Sequence, residues 1–241
     1  MDIWGRLSRK ARPGDTVRVM RASHGAPTSK VSAAALQDVV VAVRGINPPQ
    51  LPSAIDGSAA VRDVLVGLGL AAACVPVRLH VANRRFRELF RQGRVPDEEE
   101  SQRALGAILA RTSLEDTSDT WGGHLVTIVD DYWLVDATLD FINDVEPTFR
   151  LAPIVSDSGR ELIDGFRASL EFDGNLIVYE RDDENQRYLK TPAWSDAKAR
   201  KERHFSVLAS IDLMKSSEAY RLLHDRIAAV AAAKKKGRTE E

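Results

Sequence analysis

The sequence predicts an α+β protein in which a buried helix precedes an antiparallel sheet and a long helix is added at the C-terminal end. Three stretches carry that expectation. Residues Ser53 to Leu68 hold Ala54, Ala59, Ala60, Val61, Val64, Leu65 and Leu68, enough apolar surface for a helix largely buried against a sheet. Residues Leu125 to Val129 and Trp133 to Val135 are β-branched, aromatic and aliphatic, and Asp130-Asp131 between them supplies the turn of a hairpin. Ser206 to Ala233 carries the pattern of one long helix or two in succession.

The remaining elements follow in chain order. Residues 1 to 15 read as a loosely held arm and Thr16 to Met20 as a short strand. A helix is expected from Ser29 to Arg44, with Thr28 or Ser29 as its cap and Val31, Ala35, Leu36, Val39 and Val43 on one face. The prolines of Ile46 to Pro52 force extended backbone before the buried helix starts. Gly69 stops that helix, and Leu70 to Val81 suits a strand covered on both faces, with Pro76 as an interruption of its ladder. Arg84 to Gln92 reads as helical, and 94 to 120 as surface connection with one helix from Glu99 to Ala110. After the hairpin, Asn143 to Pro153 reads as irregular, Gly159 to Ser169 as helical and Asn175 to Arg181 as a strand, with Pro192-Ala193-Trp194 in a loop. The expected division is a core with its N-terminal arm over 1 to 205, then a C-terminal helix and basic tail over 206 to 241.

Composition bounds the chemistry. A chain of 241 residues, 44% hydrophobic, can bury a full core. Its 34 basic and 35 acidic residues nearly cancel, so no global field points to nucleic acid or to an anionic membrane as partner. A single cysteine, Cys74, excludes an internal disulfide and a thiolate zinc cluster, and fits a cytoplasmic protein. No signal sequence or membrane span is expected, and no cofactor or metal.

The candidate site lies in the hairpin. His124 opens its first strand and Asp136 closes its second, which makes them neighbours on one sheet edge: a base and the carboxylate that orients it. The competing structural roles are an ordinary strand-end histidine and an Asp136 that bonds the following turn through Thr138. Trp121 either lines a cleft or packs the strand ends, and Asp130 and Asp131 are turn formers. His80, His204 and His224 have no partners at metal-ligand spacing and His24 lies in a Gly-Pro turn region, so all four read as structural or solvent-facing.

A buried helix, then a histidine strand, then an aspartate strand is an order that resembles the transglutaminase-like and arylamine N-acetyltransferase-like branches of the papain-like cysteine protease superfamily. Leu68-Gly69-Leu70-Ala71-Ala72 is similar to the family's turn after the helix, with Ala71 in place of a proline. Gly122-Gly123-His124 and Val135-Asp136-Ala137-Thr138 match its other two motifs, and the resemblance spans roughly residues 46 to 142. It implies acyl transfer or amide hydrolysis on a peptide, amide or thioester-type substrate. A helix N-terminus would stabilise a thiolate, His124 would take its proton, Asp136 would fix the tautomer, and backbone N–H groups would hold an oxyanion.

At the nucleophile the chain departs from the family. Aligned back from Gly69 through Leu68, Leu65 and Val64, the position falls on Ala54. Cys74, in the strand beyond the helix, reads as a core thiol; Ser53, as a helix cap, and Ser58, one turn on, are the hydroxyls within reach. Two functions remain open: an acyl-transfer or amide-hydrolysis site that has lost its cysteine, and a non-enzymatic protein that uses the same cleft to hold a peptide or a protein partner.

Overall fold

A computed structural model describes residues 31–46, 54–84, 123–145 and 149–198, together with positions 87, 88, 92, 121, 201, 209, 221 and 225. The expected arm, the short strand Thr16 to Met20, the helix Glu99 to Ala110 and nearly all of the C-terminal helix lie outside the described residues. The architecture is α+β. Two helices, α1 (Ala33–Ile46) and α2 (Ala54–Gly67), precede the strands β1 (Ala72–Ala82), β2 (His124–Val129) and β3 (Trp133–Asp136). A 3₁₀ turn (Leu139–Phe141) and the short α3 (Ile142–Val145) lead to β4 (Ile154–Ser156) and α4 (Gly159–Gly165). Strands β5 (Arg167–Phe172) and β6 (Asn175–Arg181), a second 3₁₀ turn (Gln186–Lys190) and α5 (Pro192–Ser195) complete it.

All strand pairs are antiparallel, in the order β4-β3-β2-β1-β6-β5. Because side chains alternate across a pleated strand, each strand divides its residues between two faces. On one face Val129, Val135 and Ala137 meet Val39 and Val43 of α1 and Val61, Val64 and Leu65 of α2. On the other, Val77, Leu79 and Val81 of β1 join Val126, Ile128, Leu134, Ile177 and Tyr179, covered by Leu139, Ile142, Phe149, Leu151 and Leu162. Burying each such Val, Leu or Ile contributes about 1.5–3 kcal/mol. The two-sided burial explains why every residue of β2 is buried.

Helix α2 is the buried helix that its apolar content predicts: Ile55, Gly57, Ser58, Ala59, Ala60, Val61, Val64 and Leu65 are all buried. Its first turns are small, and the absence of a side chain at Gly57 lets the helix come down onto Thr138, whose Cγ2 occupies the space a Cβ would need. Helix α1 starts four residues later than expected. Ser32, not Thr28 or Ser29, caps it, its Oγ accepting from the Ala35 N–H at 3.2 Å.

Pro76 sits in the middle of β1 yet costs the β1–β2 ladder nothing. It lies opposite Leu125 in an unbroken register from Ala72↔Val129 to Val77↔His124. Its carbonyl accepts the Asp182 N–H at 2.9 Å, so its nitrogen also faces the β6 side, just past the last pair Val77↔Arg181. The missing donor falls where β6 has ended.

Three other segments differ from the sequence expectation. The helix from Gly159 ends at Gly165 rather than Ser169, because Phe166 adopts a left-handed conformation (φ 58°) and the alternating Arg167–Phe172 pairs with β6 as β5. Asp173 and Gly174, both at positive φ, make the tight turn of that hairpin. Asn143 to Pro153 is not wholly irregular, since α3 runs to Val145, and Pro192-Ala193-Trp194 forms the one-turn α5 with proline in its first turn. No helix among the described residues is long and apolar enough to cross a membrane.

Gly159 tests the packing of α4 on the hairpin. A Cβ there would stand 2.6 Å from the Tyr132 carbonyl oxygen and 2.7 Å from the Trp133 carbonyl carbon, both backbone atoms that cannot swing away. Gly159→Ala is expected to lower stability by about 1–3 kcal/mol in urea denaturation; a midpoint equal to that of the natural chain would refute this packing.

Candidate functional site

The hairpin turn is built by Asp130 and Asp131, both at positive φ (51° and 53°), as turn formers. The register Thr127↔Val135, Ile128↔Leu134 and Val129↔Trp133 then puts Asp136 two residues along from His124 on the same face. The pair forms. His124 Nε2 stands 2.7 Å from Asp136 Oδ2, and both side chains are buried, at 1% and 0% exposure. It is not at a sheet edge, since β4 pairs outside β3.

Asp136 holds more than the histidine. Its Oδ2 also accepts the Tyr179 hydroxyl at 3.0 Å, and its Oδ1 accepts the Thr138 N–H at 3.1 Å. The turn role and the orienting role of Asp136 therefore coexist. A buried carboxylate needs such donors to offset its lost hydration. Tyr179 is fully buried, and burial first, then the Asp136 charge and hydrogen bond, push its hydroxyl well above its ordinary pKa, so it remains a neutral donor. Tyr179 comes from β6, three strand steps from β3, about 14 Å on a flat sheet at roughly 4.8 Å per step. The sheet must curl for hydroxyl and carboxylate to meet.

Since Nε2 faces a carboxylate, the hydrogen-bond network assigns a proton to Nε2, and in a neutral ring Nδ1 is then the nitrogen that carries none. Nδ1 is buried and has no hydrogen-bond partner among the described residues. The ring stacks on Phe141, centroids 5.6 Å apart and planes at 27°. A histidine so held can accept a proton at Nδ1 while Asp136 steadies the resulting imidazolium.

Ala54 is the first residue of α2, the helix N-terminus where the nucleophile position was expected; its side chain and Ser53 lie outside the described residues. Two contacts locate that end of α2. Ser58 Oγ donates to the Leu125 carbonyl at 2.7 Å, and Gly57 abuts Thr138. The helix thus begins at the end of the sheet where β2 starts and β3 finishes. Ser58, fully buried and committed to Leu125, is a structural hydroxyl. The helix and the imidazole occupy opposite faces: α2 packs on the side of Val129 and Val135, whereas His124 and Asp136 point with Val126 and Tyr179 to the other.

The remaining candidates separate. Cys74 is partly buried on the helix side of β1, in a small cluster with Ile55, Leu125, Trp121, Tyr188 and Trp194. Trp121 packs the strand end: its indole N–H donates to Asn185 Oδ1 at 2.8 Å, and its ring fills the space beside Gly123. His80 is buried rather than solvent-facing, its Nε2 3.5 Å from Glu180 Oε2. His204 and His224, like His24, lie outside the described residues. Among the described residues no group of three or more His, Cys, Asp or Glu side chains could hold a metal ion.

Sequence reasoning missed Tyr179, which it read only as part of a strand. The period-2 alternation of β6 places it beside Ile177 on one face, but a contact across two intervening strands has no local signature. None of the known protein families, curated proteins or solved structures compared with the chain matches it.

Removing the shared acceptor strands two buried donors. Asp136→Ala is expected to cost about 3–5 kcal/mol of stability and Tyr179→Phe about 1–2 kcal/mol, read by urea denaturation. Equal, small losses in the two variants would contradict a network centred on Asp136.

Proposed function

We propose that this chain carries an acyl-transfer or amide-hydrolysis site of the transglutaminase-like, papain-like kind whose cysteine position is occupied by Ala54, with His124 as base and Asp136 as its orienter. The observation that carries the reading is the state of His124: Nε2 is fixed by a buried carboxylate while Nδ1 stays bare and unpartnered among the described residues. Most buried side-chain polar atoms are hydrogen-bonded, and His124 differs from the equally buried His80, neither of whose ring nitrogens is hydrogen-bonded among the described residues, in having its other nitrogen fixed by a carboxylate. The order of parts supports it too, since a helix begins at Ala54, a strand opens at His124 and its neighbour closes at Asp136.

With alanine at position 54 the chain has no group there to form a covalent acyl intermediate. That vacancy favours a second reading, a protein that holds a peptide, an amide or a protein partner in the same cleft without chemistry. Because α2 and the imidazole occupy opposite faces, a nucleophile at position 54 and Nδ1 would meet only around the end of the sheet, ahead of Leu125.

Restoring the missing group tests the reading. Ala54→Cys is expected to give a thiol alkylated by iodoacetamide at pH 6 at least about tenfold faster than the same cysteine in an Ala54→Cys/His124→Gln chain. Peptide mapping by mass spectrometry separates its labelling from that of Cys74. A position-54 thiol whose rate ignores His124 would sink the proposed site. The natural chain should show no burst with an activated ester, and a burst abolished by Ser53→Ala would overturn the vacated-site reading.

A further inference from the structure

Asp136 Oδ2 accepts two hydrogen bonds, one from His124 Nε2 at 2.7 Å and one from the Tyr179 hydroxyl at 3.0 Å. All three side chains are buried, so no bulk water dilutes the competition between the two donors. We propose that Tyr179 is a positioning residue for His124: by sharing Oδ2 it fixes the plane of the Asp136 carboxylate and lessens the charge that the imidazole meets, which favours the ring form whose Nδ1 can accept a proton. The assignment rests on reading His124 as a base.

The physical step is a balance at one oxygen. A carboxylate in low dielectric stabilises an adjacent imidazolium strongly, and an imidazolium has no bare nitrogen with which to act as a base. Each further hydrogen bond donated to the same carboxylate reduces the charge that the imidazole meets. Thr138 does this at Oδ1 and Tyr179 at the oxygen that faces His124. Among the described residues, other groups leave the balance to these two. Phe141 covers the ring with an apolar face, and Val77 lies opposite His124 in β1. From α1, Arg44 reaches the Ala137 carbonyl and pairs with Asp140, so its charge is met locally.

Tyr179 also suits the task because it arrives from β6 rather than from the hairpin. The hairpin alone could bring His124 and Asp136 together; the curl of the sheet adds the third member, so the state of the base depends on the closed fold.

The test is an NMR titration of ¹⁵N-labelled imidazoles in the full natural chain, with His124 assigned by its absence in His124→Gln. In Tyr179→Phe its midpoint is expected to move to higher pH by about half a pH unit or more, because the undiluted carboxylate favours the imidazolium. In a chain whose tyrosines are replaced by 3-fluorotyrosine, a stronger hydroxyl donor of nearly the same shape, the midpoint should move the other way. A midpoint unmoved in both chains, or moved with the opposite signs, overturns the assignment. If Tyr179→Phe does not fold, the fluorotyrosine chain decides alone. The readout does not involve position 54. A shifted midpoint beside an inert Ala54→Cys thiol would remove the acyl-transfer reading and leave Tyr179 controlling His124; an unshifted midpoint beside a reactive thiol would do the reverse.

Discussion

The Asp136 carboxylate is the group around which this structure has to be arranged. It is fully buried at the end of β3, and a charge in that position persists only when donors surround it. Those donors come from β2, from β6 and from the turn at Thr138. Satisfying it therefore demands the hairpin register, the curl that brings β6 within reach of β3, and the conformation of the segment that follows. Thr138 extends the demand to α2, whose Gly57 packs against it. One carboxylate thus ties the sheet to the helix.

Much of this arrangement was legible in the residues. The period-2 runs on either side of Asp130-Asp131 define β2 and β3, and once the hairpin is drawn His124 and Asp136 must be near one another. The small and apolar residues of Ala54 to Leu65 mark a helix largely buried against a sheet, and Ile55, Ser58, Ala59, Ala60, Val61, Val64 and Leu65 are buried in it. Asn175–Arg181 is a strand as expected. What escaped was decided at a distance or by single backbone dihedrals. The left-handed Phe166 cuts a helix that composition would continue, although the Asp173-Gly174 pair and the alternation of Arg167–Phe172 were there as a hairpin signal. The Tyr179 contact depends on sheet curvature, a property of six strands together.

The proposed function joins an oriented base to an empty position. The proposed roles of His124 and Asp136 require little beyond the observed hydrogen bond and an Nδ1 that has no partner among the described residues. The proposed role of position 54 requires more, because the start of α2 and the imidazole share one end of the sheet but not one face. Both proposed functions, vacated enzyme and binding protein, use that same end. They differ in whether anything at position 54 can exchange a proton with His124.

Pro76 gives the arrangement a form of insurance. Val77 and Leu79 of β1 lie opposite His124 on one side and, through Leu79↔Tyr179, opposite the third member of the network on the other. A slip of one residue in either ladder would turn His124 or Tyr179 to the wrong face. A slip of two would preserve the faces, and hydrophobic patterning alone would not forbid it. Sliding β6 further along β1 in that way would bring Pro76 inside the β1–β6 ladder, where its absent N–H would leave a strand carbonyl unpaired. The proline that first looks like a defect in a central strand is therefore a register stop: it penalises the mispaired sheet that hydrophobicity would tolerate, and so keeps tyrosine, carboxylate and histidine in line.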